Sequence, residues 1–265
     1  MPEGPEVKIA ANYFNNFFQN SSKIQFKPIS TYYQDKYEFV FNTIKSHYKS
    51  FNPIYTIGKN LFIKLDHNLI FNFHLGMTGG WSNKLEKHCH IKISNESKYL
   101  FFRDVRKFGK MKILTKDQVN KTFYQEHDLL NDNYNFNKHF SFLNKNVGDK
   151  KSICSILMNQ LYFPGVGNYI KSEALYTSKL HPEEKWKKIS IKKRENLIKQ
   201  TKKIMQNSFT SGGAELRDFK NPFHKSNFKL FVYGKSEDLN KNKISSMLTS
   251  DQRKTWFCPK TQKKL

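Results

Sequence analysis

The first residues of the chain could supply a nucleophile and an acid. The sequence begins Met1-Pro2-Glu3, and an initiator Met is normally removed before a residue as small as Pro. The mature chain would then start with a secondary amine, whose pKa near ~8 leaves a useful fraction neutral at physiological pH. Such an amine condenses with the aldehyde carbon of a sugar to give an iminium ion, and the adjacent Glu3 could protonate the sugar ring oxygen.

The iminium ion would act as an electron sink. It acidifies the neighbouring sugar carbon and so permits elimination of the 3′ phosphate and then of the 5′ phosphate. No cofactor is needed. Taken alone, the segment PEGPE is also explained as a loose start with two helix-breaking prolines, and composition by itself favours that explanation.

The charge of the chain predicts a polyanionic partner. Lys and Arg number 46 against 22 Asp and Glu, a formal net charge of +24 spread over 265 residues. No stretch approaches ~18 consecutive apolar residues and no basic-then-apolar signal begins the chain. Nucleic acid is therefore favoured over a membrane. Compositional drift is the alternative, because an AT-rich genome encodes Lys, Asn and Ile in abundance.

The cysteines predict a reducing, intracellular compartment. Cys89, Cys154 and Cys258 are odd in number and scattered, which excludes a disulfide framework. The motif KHCHI does not predict a zinc site, because His88 and His90 would project from one side of a strand and Cys89 from the other.

Hydrophobic spacing predicts an α+β fold with two domains. A helix of about three turns follows the N-terminus, and residues 24–114 carry the short runs typical of an antiparallel β-sandwich or barrel. The Asn-rich segment 131–148 has little clear period and is predicted to be the interdomain linker. We expect an N-terminal β-sandwich catalytic domain over 1–130 and a helical domain over 149–265.

The second domain is predicted to hold a helical hairpin, a long helix and a terminal β-hairpin. One helix begins at Ile153 and ends before FPGVG, and Asn168 can cap the next. Another helix is predicted over about 191–209. Two strands, 228–234 and 254–258, would form the β-hairpin.

The motif PEGPEV resembles the N-terminus of the formamidopyrimidine-DNA glycosylase/endonuclease VIII (Fpg/Nei) family. Further motifs follow in the order of that family over essentially the whole chain. They occupy residues 2–6, 57–62, 74–79, 103–109, 153–182 and 253–258. The resemblance implies a bifunctional DNA glycosylase and AP lyase of base excision repair, with Pro2 as its Schiff-base nucleophile and Glu3 as its acid.

The resemblance also implies DNA contacts in the N-terminal domain. IGKNLFIKL resembles a hairpin whose essential lysine, Lys59, contacts phosphate and transfers protons during elimination. Further DNA contacts are expected at Glu6 and His88.

Two loops, HLGMTG and RDVRKFG, resemble those that fill the space left by an everted nucleotide. The matching side chains are Met77, Arg106 and Phe108. An apolar wedge and an Arg that faces the orphaned base offset part of the lost stacking. The family commonly has two arginines before this Phe, whereas the second is Lys107 in this chain.

The segment from Ile156 to Pro182 resembles the helix-two-turn-helix of the family, with Asn168 as its key residue. Gly167 would let the backbone approach a DNA phosphate, and the following helix would present free N–H groups to it. Lys150 would add a second phosphate contact.

DQRKTWFCPKTQKK resembles the second half of a C-terminal zinc finger in which Arg253 clamps phosphates. Zinc needs about four ligands, but the stretch after VYGK has no Cys and Thr261 stands where a second Cys would follow Cys258. We expect no metal and a zincless finger over about 228–262. Its proposed packing residues are Phe231, Tyr233, Trp256 and Phe257.

The segment 212–234 is shorter than its counterpart in bacterial Fpg enzymes. Together with the missing zinc ligands, this favours the Nei-like branch, oxidised pyrimidines as main substrates, and β- then δ-elimination. The expected partner is damaged DNA, double-stranded and, as an open alternative, single-stranded. We expect a monomer located wherever the genomic DNA is.

Two other classes of function remain open on sequence alone. One is a catalytically dead, structure-specific DNA binder that keeps the scaffold. The other is an RNA-binding or ribosome-associated protein that uses the same helical hairpin, although that role would not require the PEGPE start.

Overall fold

The computed structural model describes residues 1–215 and 226–264. The chain forms two compact units, which divide between Phe123 and Tyr124. Met1 and Pro2 belong to the first unit, whereas Glu3–Pro5 belong to the second. The domain limits at 130 and 149 stay predictions. Among the described residues, no helix has both the length and the apolar character required to cross a membrane.

The first unit contains two four-stranded antiparallel sheets, as predicted. One sheet has the order β1-β6-β7-β5 and the other the order β2-β3-β4-β8. The strands are β1 (Gln25–Pro28), β2 (Tyr55–Ile57), β3 (Asn60–Lys64), β4 (Leu69–His74), β5 (Gly80–Ser82), β6 (Cys89–Ser94), β7 (Tyr99–Arg103) and β8 (Lys110–Thr115). Alternate side chains of both sheets enter one core, for example Ile91 and Ile93 from β6 and Phe71 and Phe73 from β4.

Helices accompany these sheets. They are α1 (Gly4–Phe18), α2 (Thr31–Lys36), α3 (Glu38–His47) and α4 (Lys116–Thr122). The predicted N-terminal helix is thus confirmed, but the prediction of strands throughout 24–114 is wrong for residues 31–47. There Val40, Phe41 and Ile44 recur at helical spacing and are buried in the same core.

The second unit is mainly helical. Its elements are α5 (Phe136–Asn146), α6 (Ile153–Met158), α7 (Asn168–Thr177), α8 (Ile191–Thr210), β9 (Ser245–Leu248) and β10 (Lys254–Phe257). The prediction of α8 is confirmed, with the expected inner face buried. The segment predicted as a linker instead contains α5, because Asn135 caps it and His139 and Leu143, four residues apart, are buried on one face.

The terminal hairpin is tighter than predicted. Strand β10 is confirmed, but its partner is β9, and residues 228–234 form no strand. The reason is local: the backbone N–H groups of Phe231, Val232 and Tyr233 all donate to the Glu173 carboxylate, at 2.7, 3.0 and 2.8 Å. Three consecutive amides that converge on one side chain cannot alternate as a strand requires.

Candidate active site and nucleic-acid interface

The N-terminus of the first unit borders a cavity of about 960 Å³. Met1 lines this cavity together with Asn60, Asn72 and His74, and Pro2, the next residue, is buried. With Met1 in place the Pro2 nitrogen is part of a peptide bond and cannot react. Removal of Met1 would free that nitrogen beside the cavity.

Lys59 lies in the two-residue loop between β2 and β3. Gly58 before it has φ 58°, the left-handed backbone that a tight hairpin loop needs and that glycine adopts without strain. The Lys59 side chain is only 7% exposed. The Lys59 side chain is therefore largely shielded from solvent.

His74 is a site residue that the sequence analysis missed. Burial, followed by the charges of Lys59 and Lys110, lowers the pKa of His74 to about 4. Its Nδ1 accepts a hydrogen bond from the Gly76 N–H at 3.0 Å, so the neutral ring carries its proton on Nε2. The available signal was its place in HLGMTG, at the end of a strand that precedes a predicted DNA-contacting loop.

Buried Asp104 connects the two predicted wedge loops. One carboxylate oxygen accepts from the Thr78 hydroxyl at 2.7 Å and the other from the Gly109 N–H at 2.7 Å. The Arg106 N–H in turn donates to the Thr78 hydroxyl at 3.1 Å. The loop that carries Met77 and the loop that carries Arg106 and Phe108 are thereby held at a fixed spacing.

The exposed ends of these loops present the predicted wedge. The Arg106 guanidinium lies 4.6 Å from the centre of the Phe108 ring, and that ring is 46% exposed. All three predicted wedge residues line the cavity that Met1 borders. The residue before Met77 must be a glycine. Gly76 has φ 75°, and an added Cβ would lie 2.6 Å from the Phe108 carbonyl carbon.

In the second unit the Glu3 carboxylate lies at the N-terminus of α7. It accepts hydrogen bonds from the backbone N–H groups of Gly167, Tyr169 and Ile170, at 2.7, 3.0 and 3.3 Å. Free amides and the positive end of the helix dipole both stabilise a negative charge at this place. Glu3 therefore fills the anion-binding position of the helix with its own side chain.

The predicted cap of α7 is wrong. The N-cap is Gly167, and Asn168 is the first residue of the helix. The Asn168 side chain instead donates from Nδ2 to the Lys254 carbonyl at 2.9 Å. This hydrogen bond links Asn168 to the β9–β10 hairpin, because its acceptor, Lys254, is the residue after Arg253.

Arg253 is exposed in the hairpin turn. The turn is anchored by an ion pair between Lys171 of α7 and Asp251, at 2.6 Å, whose side chains are 0% and 5% exposed. The Arg253 carbonyl accepts from the Thr249 N–H at 3.0 Å. The structure thus brings together Glu3, the start of α7 and the hairpin that carries Arg253.

The predicted packing of the finger is partly borne out. Val232, Ile244 and Cys258 form a small buried cluster against which Phe231 and Trp256 pack. Two polar groups support it: Glu173 holds residues 231–233, and Gln262 accepts from the Cys258 N–H at 2.8 Å. Within 1–215 and 226–264, no group of three or more His, Cys, Asp or Glu side chains could hold a metal ion.

The remaining predicted DNA contacts differ in exposure. Lys150 is exposed and His88 is half-buried with φ 72°. Glu6 is fully buried in the first turn of α1, which gives no support to a direct DNA contact by its side chain. These three roles stay predictions.

Comparison with known proteins identifies the family. The Formamidopyrimidine-DNA glycosylase N-terminal domain matches residues 1–111 and the Formamidopyrimidine-DNA glycosylase H2TH domain matches residues 128–220, together more than three quarters of the chain. The formamidopyrimidine-DNA glycosylase of Wolbachia sp. subsp. Brugia malayi (strain TRS) is 29% identical over 97% of this chain and 98% of its own length. The formamidopyrimidine-DNA glycosylase of Rickettsia bellii (strain OSU 85-389) is 27% identical over 99% of this chain and 100% of its own length.

Solved structures share the fold. MutM in complex with DNA that contains carbocyclic 8-oxo-G superposes with a TM-score of 0.82 at 24% identity, over 99% of this chain and 100% of that one. The Lactococcus lactis Fpg in complex with abasic-site DNA superposes with a TM-score of 0.83 at 23% identity, over the same shares of the two chains. The α+β prediction is thus confirmed, and the chain belongs to the formamidopyrimidine-DNA glycosylase family, the DNA-binding base excision repair glycosylases that its sequence motifs predicted.

Proposed function

We propose that the chain removes oxidised bases with the Pro2 nitrogen as its nucleophile and then cuts the DNA strand by β- and δ-elimination. The observation that carries this proposal is the placement of the N-terminus. Met1 borders a 960 Å³ cavity, and the carboxylate two residues on is fixed by three backbone N–H groups. Loss of Met1 would leave a free secondary amine at the residue before this proton acceptor, and a useful fraction of that amine is neutral at physiological pH.

Glu3 is proposed to carry a proton from the Pro2 nitrogen to O4′ of the sugar. The Pro2 nitrogen attacks C1′, the glycosidic bond breaks, and the base departs with the bonding electron pair and takes a proton from solvent. The nitrogen now carries an extra proton, which it passes to the Glu3 carboxylate. Glu3 returns this proton to O4′ as the C1′–O4′ bond breaks and the nitrogen lone pair forms the iminium ion.

Elimination then proceeds from the iminium ion. Loss of a proton from C2′ breaks the bond to the 3′ phosphate, and loss of a proton from C4′ breaks the bond to the 5′ phosphate. Water hydrolyses the iminium and restores the amine. Lys59, held within the β2–β3 loop, is proposed to contact phosphate and to transfer protons in these steps.

DNA binding is proposed to use groups from both units. Met77, Arg106 and Phe108 enter the duplex, while Asn168 and Arg253 contact phosphates, with further contacts from Lys150, Gly167, His88 and Glu6. The net charge of +24 supports strong phosphate binding. We further propose a monomer that works wherever the genomic DNA lies.

Two classes of base are candidate substrates. The Nei-like expectation of oxidised pyrimidines rests on the shorter segment 212–234, of which residues 216–225 lie outside the described residues. The relatives compared above are named formamidopyrimidine-DNA glycosylases, which favours formamidopyrimidines. Single-turnover excision of thymine glycol and of a formamidopyrimidine from otherwise identical duplexes separates these candidates.

A hairpin that works without zinc is also proposed. Its support is the set of internal anchors, namely the Lys171–Asp251 ion pair and the contacts of Glu173 and Gln262. These contacts hold the turn, the segment 231–233 and the end of β10.

Borohydride trapping tests the central proposal. The mature chain is mixed with duplex DNA that carries an abasic site, and borohydride reduces any iminium to a stable adduct. We expect one adduct, which peptide mass spectrometry assigns to Pro2, and none from a chain that retains Met1. A processed chain that binds this DNA and never traps would instead be the catalytically dead binder, and stronger binding to RNA than to duplex DNA would indicate the RNA-binding alternative.

A further inference from the structure

A basic and aromatic cluster on the first unit has no part in the chemistry proposed above. It consists of Tyr32 and Lys36 in α2 and of Lys107 in the wedge loop. The Lys36 Nζ donates to the Tyr32 hydroxyl at 3.0 Å and lies 5.1 Å from the centre of its ring. The Lys107 Nζ lies 4.7 Å from the same centre. Two ammonium groups are therefore held on one ring, at most about 10 Å apart.

The cluster carries positive charge without internal compensation. Among the described residues, neither Lys36 nor Lys107 forms an ion pair with a carboxylate. The hydrogen bond to Tyr32 raises the pKa of Lys36, so that it stays charged. Both ammonium groups are also exposed, so that an anion in solvent can reach them.

The backbone at Lys107 supports a functional reason for this arrangement. Lys107 has φ 55°, a left-handed conformation that is costly for a residue with a Cβ and that concentrates at functional sites. Its N–H donates to the Asp104 carbonyl at 3.3 Å. The loop thus holds Lys107 in a strained conformation that places its ammonium over Tyr32.

The cluster lies next to the proposed wedge residues. Tyr32, Lys36 and Lys107 line the same cavity as Arg106 and Phe108. Arg106 is proposed to face the orphaned base, and Lys107 is the next residue, about 3.8 Å away along the backbone. The nearest polyanion would then be the backbone of the strand that carries that base.

We propose that Lys36, Tyr32 and Lys107 form a binding site for one phosphate of the strand opposite the lesion. The two ammonium groups contact its oxygens, and the Tyr32 ring keeps both at the required spacing. This site would fix the undamaged strand while the wedge residues occupy the duplex. The inference rests on the proposed wedge role of Arg106 but not on the Pro2 chemistry.

Binding to a stable abasic analogue tests the site separately from catalysis. Fluorescence anisotropy with a tetrahydrofuran-containing duplex should give about 10-fold weaker binding for Lys36→Gln and for Lys107→Gln. Each variant should also lower the slope of log K against log salt by about 1. Lys49→Gln, also an exposed lysine, is the matched control and should stay within about 2-fold.

Two further experiments test the role of the Tyr32 ring and identify the DNA strand that carries the bound phosphate. Tyr32→Phe keeps the ring but removes the acceptor of the Lys36 hydrogen bond, so it should weaken binding less than Tyr32→Leu, which should lose binding as a lysine variant does. A neutral methylphosphonate, moved along the strand opposite the lesion, should weaken the wild type at one position and have no effect on Lys107→Gln there. Unchanged binding and salt slope in both lysine variants, or sensitivity only on the lesion strand, would overturn the proposal.

Trapping with borohydride at saturating DNA keeps the two proposals apart. Trapping of the wild type reports the Pro2 chemistry, whereas the affinity and salt slope of the lysine variants report this site. A chain that shows the methylphosphonate effect and never traps would retain this site and lose the proposed catalytic function.

Discussion

The Glu3 carboxylate accepts a hydrogen bond from the Gly167 N–H at 2.7 Å, although the two residues lie 164 positions apart in sequence. This contact, which lies within the second unit, ties the residue after the proposed nucleophile to the start of α7. Gly167 is extended, with φ −133°, so glycine is not needed there for its backbone freedom. It is needed for space.

Replacing Gly167 with Ala should therefore displace Glu3. An added Cβ would overlap the Glu3 carboxylate and lie 2.7 Å from its Cγ. We expect Gly167→Ala to lower single-turnover base excision by at least ~100-fold, consistent with loss of a positioned acid or base. The control is Gly148→Ala, where an added Cβ meets nothing within 4 Å. Equal activity of the two variants would show that Glu3 need not occupy this place.

Glu3→Gln should separate the two activities. The amide cannot accept and return a proton, so base excision should fall by about 10² to 10⁴ fold. An abasic site can form the iminium from its open aldehyde, so lyase activity on that substrate should persist in part. Gel assays on thymine glycol and on abasic duplexes measure both rates. Normal turnover of thymine glycol would contradict the role given to Glu3.

The sequence predicted what depends on local pattern. The buried face of α8 and the alternation over residues 91–94 of β6 follow from apolar spacing, and both are observed. The Glu3–Gly167 contact could not be read from the pattern, because it depends on residues that only the tertiary fold brings together. The wrong strand at 228–234 has the same origin, since the competing partner of its amides is Glu173 on α7.

Asp104→Asn should loosen the wedge loops. The Asp104 side chain accepts hydrogen bonds from the Thr78 hydroxyl, the Tyr33 hydroxyl and the Gly109 N–H. In Asp104→Asn, the NH₂ group would face at least one of these donors and could not accept its hydrogen bond. We expect a loss of about 1–3 kcal/mol in unfolding free energy. Binding to an abasic duplex should weaken more than binding to undamaged DNA, because only the abasic complex uses the wedge.

Fluorescence of 2-aminopurine opposite the abasic site reports wedge insertion directly. Its change on binding should be smaller for Asp104→Asn than for the wild type. The exposed Asp117 gives the matched control, Asp117→Asn. A variant that is destabilised but shows the full fluorescence change would leave Asp104 with a structural role alone.

Asp251→Asn should destabilise the second unit by about 3–5 kcal/mol, because it leaves the Lys171 ammonium buried without its partner. The double variant Lys171→Met/Asp251→Asn should recover much of this loss, since it removes both buried charges. Urea unfolding of the three proteins measures the difference. If the hairpin needs no metal, EDTA should change neither the unfolding curve nor binding to abasic DNA, and a fall in either would reveal a bound ion.

The stability of the protein should fall as pH decreases from about 6.5 toward 4. Burial lowers the pKa of His139 to about 3, and its Nε2 lies 2.6 Å from the Tyr162 carbonyl. Below pH 6.5 the unfolded chain binds a proton at this residue and the folded chain does not, so each such group costs ~1.4 kcal/mol per pH unit. The pKa of His74 is lowered to about 4, and this residue acts in the same direction.

His139→Gln tests this account, because its amide can still donate to the Tyr162 carbonyl but cannot take up a proton. Urea unfolding between pH 7.5 and 4.5 should show that the unfolding free energy falls less steeply with decreasing pH for this variant than for the wild type. The difference in slope should correspond to at most one proton. Asn137→Gln, at an exposed residue of the same helix that does not titrate, should follow the wild-type slope. Identical slopes for wild type and His139→Gln would mean that His139 is protonated in the folded protein, and its place against the turn before α7 would need another explanation.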